Sequence, residues 1–319
     1  MKRITLSDIA KECGVSVNTV SHALNDKPDI SEKTKEQIRI VADRLGYIQN
    51  ASASFLRSGI SKTIAIIVGD ISNPHFSFMI KEIETMVGKY GYTAFVLNTD
   101  EEEVLERKAI VAAISKNVDG IIICPVQKSR DNIDFLIKSG VPFTLIGRHF
   151  PDIPTNYVVC DDTHSGYLAA DYLLKKGINH IAVINGADHI SSARERLAGI
   201  LRRFDEEKQP IDYTLFTLES PGGTHQTIMQ TIAKEGFAGA ICFNDMLALE
   251  LLCHTGEQMQ LVSFDNIQTR FSMPHRFASI TSSKAQMSQS AVSILMKAIG
   301  GERRLQQQVL PTRLSSKAK

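Results

Sequence analysis

Residues 6–25 read LSDIAKECGVSVNTVSHALN, and this stretch carries the signals of two short helices joined by a tight turn. Thr5 stands three residues before Asp8, which is the capping-box spacing that begins a helix. Gly14 can end that first helix, and Ser16 can cap the second. The pattern therefore predicts a helix-turn-helix unit near the start of the chain.

A third helix is expected directly after this unit. On the second helix, Val20 and Leu24 are four residues apart and form an inward face. Ser31 can cap the third helix and Gly46 can end it. The apolar face of the third helix comprises Ile38, Val41 and Leu45.

The composition is that of an ordinary globular protein of about two domains. The 319 residues include 36 basic and 35 acidic side chains, and 43% are hydrophobic. Apolar runs such as residues 64–68 and 121–126 are far shorter than the ~20 residues that cross a bilayer, so a membrane protein is excluded. The first residues do not form the apolar block of a signal peptide, and the five cysteines form no C-x-x-C pair. We therefore expect a cytoplasmic protein with reduced thiols.

From residue 62 onward, short β-rich runs alternate with segments of helical period. Nearly continuous apolar strands of this kind indicate a parallel sheet that helices cover on both faces. Nine strands favour two doubly wound subdomains over one sheet. The predicted strands cover residues 64–68, 93–97, 120–123, 144–146, 157–159, 180–184, 215–218, 240–243 and 261–264.

Ligands bind at the carboxyl ends of the strands in such sheets. Five polar residues follow predicted strands in this way, and they are Asp70, Arg148, Asp161, Asn244 and Asp265. The acidic run at residues 101–103 opens a helix, where carboxylates suit the helix dipole, and we expect it to be solvated. The sequence contains no H-x₃-H metal pair, dinucleotide-binding motif, P-loop or G-x-S-x-G motif, so neither a metal nor a cofactor is expected.

Residues 6–25 resemble, without a gap, the headpiece of the lactose/galactose repressor (LacI/GalR) family. The resemblance continues along most of the chain in shorter motifs: NxxAxxL at 50–56, DISNPHF at 70–76, RLAG at 196–199, NDMLAL at 244–249, SFD at 263–265 and LPT at 310–312. It implies a homodimeric repressor-type transcription factor whose core resembles periplasmic sugar-binding proteins.

The implied fold is α/β with a helix-turn-helix headpiece at residues 1–48, a hinge helix or linker at 49–60 and a ligand-binding and dimerisation core at 61–319. The core consists of two doubly wound parallel-sheet subdomains. The N-subdomain is expected at about 61–160 plus 282–306, and the C-subdomain at about 161–281 plus 307–319.

A helix-turn-helix places the first residues of its second helix in the major groove of DNA. Here these residues are Val17, Asn18 and, one turn later, His22. Val17 offers apolar contact to a thymine methyl, Asn18 suits adenine, and His22 can donate to a guanine acceptor. The alternatives are a core role for Val17 and a solvated surface role for His22. The family usually has Arg at position 22, so His22 gives up a bidentate contact worth ~1–3 kcal/mol.

Groups around these positions can bind phosphates and fix the register on DNA without reading its sequence. As an alternative, the same groups serve only as helix caps. The candidate phosphate contacts are Thr5, Leu6, Ser16, Thr19, Ser21, Asn25 and Ser31.

The linker carries one large aliphatic side chain that a short helix would align with two smaller residues. Leu56 follows Ala53 by three residues and Asn50 by six, so such a helix would present all three on one side. An apolar wedge between base steps kinks DNA from the minor groove, and the family uses leucine at this position in that way. We expect Asn50, Ala53, Leu56 and Arg57 to contact the minor groove at the operator centre. The alternative is that Leu56 packs on the core.

The resemblance assigns a small effector, a sugar or a related metabolite, to the space between the core subdomains. Arg196 is the strongest candidate ligand, because its guanidinium can hold two adjacent sugar hydroxyls or a carboxylate. The structural alternatives are capping by Asn244 and Asp265, a surface role for His75 and an interdomain ion pair for Arg148. The predicted effector-binding residues are Asp70, His75, Phe76, Arg148, Ser192, Arg196, Asn244 and Asp265.

The sequence therefore predicts a sequence-specific DNA-binding transcriptional regulator, a repressor by resemblance, whose operator affinity is controlled allosterically by the effector. Its expected partners are a pseudo-palindromic operator kinked at its centre, the effector and a second copy of the chain. It is not expected to be an enzyme. There are two alternatives. A sugar-binding protein without a DNA role is disfavoured because the sequence shows no signal peptide, and an α/β enzyme acting on sugar derivatives is disfavoured because the sequence shows no catalytic constellation.

Overall fold

The computed structural model of the protein describes residues 4–48, 59–219, 225–256, 258–268 and 276–315. The chain divides into two units, Met1–Ser61 and Lys62–Lys319. Within the described ranges, no helix is long and apolar enough to cross a membrane.

The first unit contains the three predicted helices, α1 (Leu6–Cys13), α2 (Val17–Leu24) and α3 (Glu32–Leu45). The capping box forms as expected, because the Asp8 carboxylate accepts hydrogen bonds from the Thr5 backbone N–H (2.8 Å) and hydroxyl (2.7 Å). At the start of α2, Ser16 Oγ accepts from the Thr19 backbone N–H at 3.0 Å. Gly14 adopts a left-handed conformation with φ 66°, which favours glycine and allows the tight turn between α1 and α2.

The small core of this unit differs in detail from the predicted apolar faces. Val20 and Ile38 are fully buried as predicted, but Leu24, Val41 and Leu45 are only partly buried. The α-helical period places smaller side chains at the centre instead, where the three helices approach closely. The buried residues of this core are Ile9, Ala10, Val20, Ala23, Ile38 and Ala42.

The second unit contains two six-stranded sheets, and all nine predicted strands occur in them. The strands are β1 (Thr63–Val68), β2 (Thr93–Asn98), β3 (Gly120–Ile123), β4 (Phe143–Ile146), β5 (Tyr157–Cys160), β6 (His180–Asn185), β7 (Asp212–Thr217), β8 (Gly239–Cys242), β9 (Gln260–Phe264), β10 (Ala278–Thr281), β11 (Gln307–Leu310) and β12 (Arg313–Ser315). The last three were not predicted, because each has at most two large apolar residues and two of them lie at sheet edges.

The strand order is β11-β5-β4-β3-β1-β2 in the first sheet and β12-β10-β9-β8-β6-β7 in the second. Every pairing is parallel except that of β12 with β10. The predicted boundary at residue 307 is wrong, because β11 pairs in parallel with β5 and so belongs to the first sheet. The chain enters the second sheet for the last time only after Leu310.

Helices cover these sheets, as the alternating pattern predicts. They are α4 (Pro74–Lys89), α5 (Glu103–Ser115), α6 (Asp131–Ser139), α7 (Asp162–Leu174), α8 (Ser191–Asp205), α9 (Gln226–Glu235), α10 (Asp245–Thr255) and α11 (Lys284–Ile299). Helices α4 and α11 pack on one another and on the first sheet, while α7 and α8 pack together beside the second. Continuous apolar clusters fill the space between sheet and helices on each face.

Helices α7 and α8 approach so closely that only glycine fits at two positions. A Cβ atom on Gly166 would lie 1.9 Å from the Arg196 carbonyl oxygen, and one on Gly199 would lie 1.9 Å from the Thr163 carbonyl oxygen. The obstacle in both cases is backbone, which cannot rotate away. This crossing holds the backbone of Arg196 against α7.

We predict that Gly199→Ala destabilises the second unit by roughly 1–3 kcal/mol, because the added methyl group must push α8 away from α7. A suitable control is Gly88→Ala in α4, where a Cβ would meet no atom within 4 Å. That control should change stability by less than about 1 kcal/mol. Denaturant unfolding of the full chain measures both effects, and equal stability of the two variants would contradict the close crossing.

Candidate functional site

Residues that follow strands of both sheets line one cleft inside the second unit. The space between its walls, counted with its opening to solvent, is about 710 Å³. The cleft brings together all eight predicted effector-binding residues, Asp70, His75, Phe76, Arg148, Ser192, Arg196, Asn244 and Asp265. Their role in binding stays a prediction.

Arg196 projects from α8 into the cleft and is held by the groups around it. Its Nε donates to Asp162 Oδ1 at 2.7 Å, and its Nη1 donates to the Phe243 carbonyl oxygen at 2.9 Å. The guanidinium also lies over the rings of Phe243 and Phe264. Burial raises the pKa of Asp162 above its ordinary value, against the opposing effect of the Arg196 charge. Arg196 therefore presents one edge of its fork to the cleft in a fixed orientation.

Asp162 was missed by the strand-end reasoning, which selected its neighbour Asp161. The structure shows that Asp161 caps α7, because its Oδ1 accepts from the His164 backbone N–H at 2.9 Å. Asp162 is the first residue of the helix and faces the cleft. Two adjacent acids after a strand left this choice open in the sequence.

His75 and Asp265 form a second contact across the cleft. Their Nδ1 and Oδ1 atoms are 2.9 Å apart, but the angle at the ring nitrogen does not suit a directed hydrogen bond. Burial acts to raise the pKa of Asp265, but the charges of His75, Lys284 and Arg196 outweigh it and hold this pKa well below its usual range. Asp265 is therefore a carboxylate.

The backbone at Asp265 is strained, with φ 102°, and the surrounding structure holds it there. Its carbonyl oxygen accepts from Lys284 Nζ, and the next residue, Asn266, donates its backbone N–H to Ser279 Oγ at 2.9 Å. Strain of this kind persists only where neighbouring groups fix the conformation, and it is concentrated at functional sites.

Asp245 stabilises this strained turn and was not among the predicted site residues. Its fully buried carboxylate accepts from the hydroxyls of Ser263 and Ser279 and from the Ile267 backbone N–H at 2.7 Å. Burial, together with the charge of Asp265, raises the pKa of Asp245 to about 6 despite these bonds. The carboxylate ties the ends of β9 and β10 to the start of α10.

Arg148 lines the cleft, but its charge is balanced by a neighbour from the same sheet. Both Nη atoms donate to the Glu101 carboxylate, at 2.7 and 2.9 Å, and Nη1 also donates to the Pro125 carbonyl oxygen. The Glu101 side chain lies so close to Gly69 that a Cβ there would be 2.1 Å from its Oε1. The prediction that Glu101 is solvated is wrong, because a left-handed backbone with φ 56° turns it inward. The alternative of an ion pair between the subdomains does not hold for Arg148, since both partners follow strands of the first sheet.

Several predicted residues have structural roles as well as a place in the cleft. Asp70 Oδ1 accepts from the Ser72 backbone N–H and hydroxyl in a tight turn. Asn244 caps α10 by accepting from the Leu247 backbone N–H at 2.9 Å. The capping alternative for Asn244 therefore holds together with its position on the wall.

Most of the remaining wall is apolar and unreactive. Phe76, Phe243 and Met287 supply apolar surface, and Cys124 and Cys160 complete it. Burial raises the pKa of each of these two thiols to about 12, so both are protonated at neutral pH and poorly nucleophilic.

A set of polar contacts joins the two sheets at one side of the cleft. Gln127 donates its amide N–H to the His149 carbonyl oxygen (2.7 Å) and accepts from the Ser191 backbone N–H at the start of α8 (2.9 Å). The His149 backbone N–H donates to Ser191 Oγ at 3.2 Å. His149 Nε2 also lies 3.6 Å from Glu195 Oε1. Any change in the angle between the sheets must alter these contacts.

In the first unit, the predicted base-reading residues lie on the surface of α2. Val17 is 46% exposed, which rules out the core role for this side chain, and Asn18 is also exposed. His22 is not freely solvated, because its Nδ1 lies 2.6 Å from Asp29 Oδ2.

The predicted phosphate contacts surround these residues and also serve the helix ends. Ser16 and Ser31 cap α2 and α3, and the Asn25 amide donates to the Ser21 carbonyl oxygen. Leu6 packs partly against the core, so its backbone N–H is the group available to a phosphate. The phosphate roles remain predictions. The predicted minor-groove residues Asn50, Ala53, Leu56 and Arg57 lie outside the described residues.

Three sequence profiles match the chain. The profile of bacterial regulatory proteins of the lacI family matches residues 5–50. The profile of periplasmic binding proteins and the sugar binding domain of the LacI family matches residues 61–210, and that of the periplasmic binding protein-like domain matches residues 170–318. The chain belongs to the lacI family.

Individual relatives agree with this assignment. The HTH-type transcriptional regulator DegA of Bacillus subtilis (strain 168) is 29% identical over 279 residues, which is 83% of this chain and 82% of DegA. The structure of a LacI family transcriptional regulator from Enterococcus faecium with bound ribose matches with a TM-score of 0.68 and 25% identity over 80% of this chain and 97% of that one. The lac repressor dimer bound to operator and the anti-inducer ONPF matches with a TM-score of 0.82 and 22% identity over 99% and 98%, and shows the same fold.

This lacI-family protein is a DNA-binding transcriptional regulator with a small-molecule-binding core. The relatives that it matches are regulators rather than enzymes. Among the described residues, no group of three or more His, Cys, Asp or Glu side chains could hold a metal ion.

We predict that Arg148 and Glu101 are strongly coupled in stability. Arg148→Met should cost roughly 3–5 kcal/mol, because it leaves Glu101 buried without a partner, and the double variant Glu101→Gln/Arg148→Met should recover much of that loss. Unfolding free energies of the single and double variants give the coupling. The nearby exposed pair Lys128–Glu102, at 3.1 Å, is the control and should show little coupling. Additive costs at Arg148 and Glu101 would contradict the buried pair.

Proposed function

We propose that the protein is an effector-controlled repressor, and that its effector is a small uncharged molecule with several hydroxyl groups, a sugar or a sugar derivative, bound in the cleft. The observation that carries this proposal is the pairing of charges on the walls. Arg148 faces Glu101, Arg196 faces Asp162 and His75 faces Asp265.

An anionic effector would find no unpaired cation among the described residues of the cleft. A phosphate or a carboxylate would have to displace Asp162 or Glu101 from its guanidinium, and the displaced carboxylate would then be buried without a partner. Asp70 adds a further negative charge to the wall. Of the two ligand types that suit an arginine fork, hydroxyl groups are therefore favoured over a carboxylate.

Unused hydrogen-bonding atoms in the cleft suit hydroxyl groups. Within the described residues, Arg196 Nη2, the Ser192 hydroxyl and the Asn244 amide nitrogen have no protein partner, so they can donate to an effector. The second carboxylate oxygens of Asp162 and Asp265 can accept. A hydroxyl group both donates and accepts, and such a mixture of sites recognises it better than it recognises a purely accepting anion. Phe76 and Phe243 offer surfaces for the apolar face of a sugar ring.

Two relatives support this assignment by what they bind. The Enterococcus faecium regulator holds ribose, and the lac repressor dimer holds operator DNA together with an anti-inducer. By analogy, two copies of this chain place their headpieces on the half-sites of a pseudo-palindromic operator, in the cytoplasm. Val17, Asn18 and His22 read bases, and the groups at the helix ends contact phosphates.

Control of DNA binding follows from a change in angle between the two sheets of the core. An effector held by residues of both sheets favours one angle, and the contacts of Gln127 and His149 with Ser191 favour the angle described above. The angle in turn changes the affinity of the headpieces for the operator. Coupling between such sites typically amounts to about 1–3 kcal/mol.

We predict that Arg196→Lys abolishes the response to effector and leaves operator binding intact. Lysine keeps a positive charge for Asp162 but loses the planar fork that holds adjacent hydroxyls. The effector is first found by a thermal-shift screen of matched pairs, such as ribose with ribose 5-phosphate and glucose with glucose 6-phosphate, in which bound ligands raise the unfolding temperature. Gel shift on the selected operator then measures DNA affinity with and without the hit.

The matched control is Arg203→Lys on the same helix. Arg203 pairs with Asp171 and Glu207 and does not line the cleft, so this variant should keep its effector response. A retained response in Arg196→Lys would remove Arg196 from the site. If only the phosphorylated sugar of a pair raised the unfolding temperature, the proposal of an uncharged effector would be wrong.

We predict that Leu56→Ala weakens operator binding by at least about tenfold, because an alanine is too short to wedge base steps apart. The competitor is the same operator with its central base steps replaced by stiffer ones. The parent should discriminate strongly between these two duplexes and the variant only weakly. A Leu56→Ala protein that binds operator as tightly as the parent would refute the wedge.

A further inference from the structure

An acidic side chain holds the last of the three base-reading residues in the headpiece. His22 lies in the final turn of α2, and Asp29 lies in the connection between α2 and α3. His22 Nδ1 and Asp29 Oδ2 are 2.6 Å apart, and the two side chains are 36% and 56% exposed. The hydrogen bond from His22 lowers the pKa of Asp29, so Asp29 is an ionised acceptor and Nδ1 carries the proton.

This pair has a cost on a DNA-binding surface. A carboxylate close to the phosphate backbone opposes binding to any duplex. An exposed ion pair contributes little to folding stability, so folding does not offset that cost. The benefit must lie in what the carboxylate does to His22.

The contact with Asp29 decides which ring atom can meet a base. With Nδ1–H donated to the carboxylate, only Nε2 remains, and it has no protein partner among the described residues. A ring that donates from both nitrogens satisfies Asp29 and one acceptor on guanine at the same time. The contact with Asp29 fixes the ring orientation before DNA arrives, which reduces the entropy lost on binding.

We propose that Asp29 is a positioning residue for base recognition: it holds His22 so that Nε2–H donates to a guanine in each half-site. The inference rests on the proposed base contact of His22. It makes Asp29 a determinant of sequence specificity that lowers overall affinity for DNA and raises discrimination at one base pair.

The test uses full-length protein and a pool of duplexes with randomised half-sites. Selection with the parent identifies the preferred duplex. A parallel selection with the His22→Ala variant identifies the guanine whose preference depends on His22. Binding of parent and Asp29→Asn is then measured on that duplex, on one with the guanine pair replaced, and on one with 7-deazaguanine, which lacks the N7 acceptor. The parent should lose at least about fivefold in affinity on each altered duplex. Asp29→Asn should lose less than about twofold, while its affinity for random DNA increases.

Asp26→Asn is the matched control, because it removes the same charge from the same connection. Asp26 bonds Lys35 and Arg39 and not His22. This variant should also bind random DNA more tightly, but it should keep the parent's discrimination at the guanine. Comparing Asp29→Asn with Asp26→Asn also separates positioning from a general loss of structure. A general loss of structure would lower the preference at every base pair.

The proposal is overturned if Asp29→Asn keeps the parent's discrimination at the guanine, or if its preference falls equally at all positions. A parent protein that prefers no duplex would instead overturn the proposed DNA recognition as a whole. A parent with clear preferences that His22→Ala does not alter would refute the base contact of His22 and leave the effector proposal intact.

Discussion

The ion pair between Arg196 and Asp162 is the interaction on which the cleft depends. Asp162 is buried and Arg196 mostly so, and they come from two helices whose backbones touch at Gly166 and Gly199. A buried arginine without a partner is costly, so the pair requires the close helix crossing, and the crossing requires glycine. The pair also fixes the edge of the guanidinium that faces the cleft. Packing far from the cleft opening therefore sets the hydrogen-bonding groups that an effector meets.

Charges on the other walls of the cleft are paired in the same way. Both arginines that line the described part of the cleft face an acid, and several polar side chains cap a helix or close a turn as well as lining the cleft. These internal bonds hold the polar atoms in place before a ligand arrives, which lowers the entropy lost on binding. They also leave individual N–H donors and oxygen acceptors available to a ligand, rather than unpaired charges. A neutral hydroxylated molecule matches that surface.

The headpiece shows how much local signals can establish. Its three helices begin at the predicted capping residues, and α1 and α3 end at the predicted glycines. A serine hydroxyl, the Asp8 carboxylate or a glycine in left-handed conformation acts within a few residues of its own position. The residues that face the core of the headpiece were predicted less accurately than the helix ends. Ala23 and Ala42 are buried at positions where larger neighbours were expected, because helix packing at short distance favours small side chains. The contact between His22 and Asp29 spans a connection whose path no local signal specifies.

The sequence by itself determined the two kinds of unit, the nine main strands and eight of the residues that meet in the cleft. Strand period, helix caps and strand-end positions are encoded locally, and the family motifs are continuous. Only the tertiary structure decided which charges neutralise each other. Glu101 turns inward through a left-handed backbone, Asp162 rather than Asp161 meets Arg196, and β11 joins the first sheet. These outcomes depend on the distance between residues far apart in the chain, which sets whether a charge is solvated or paired.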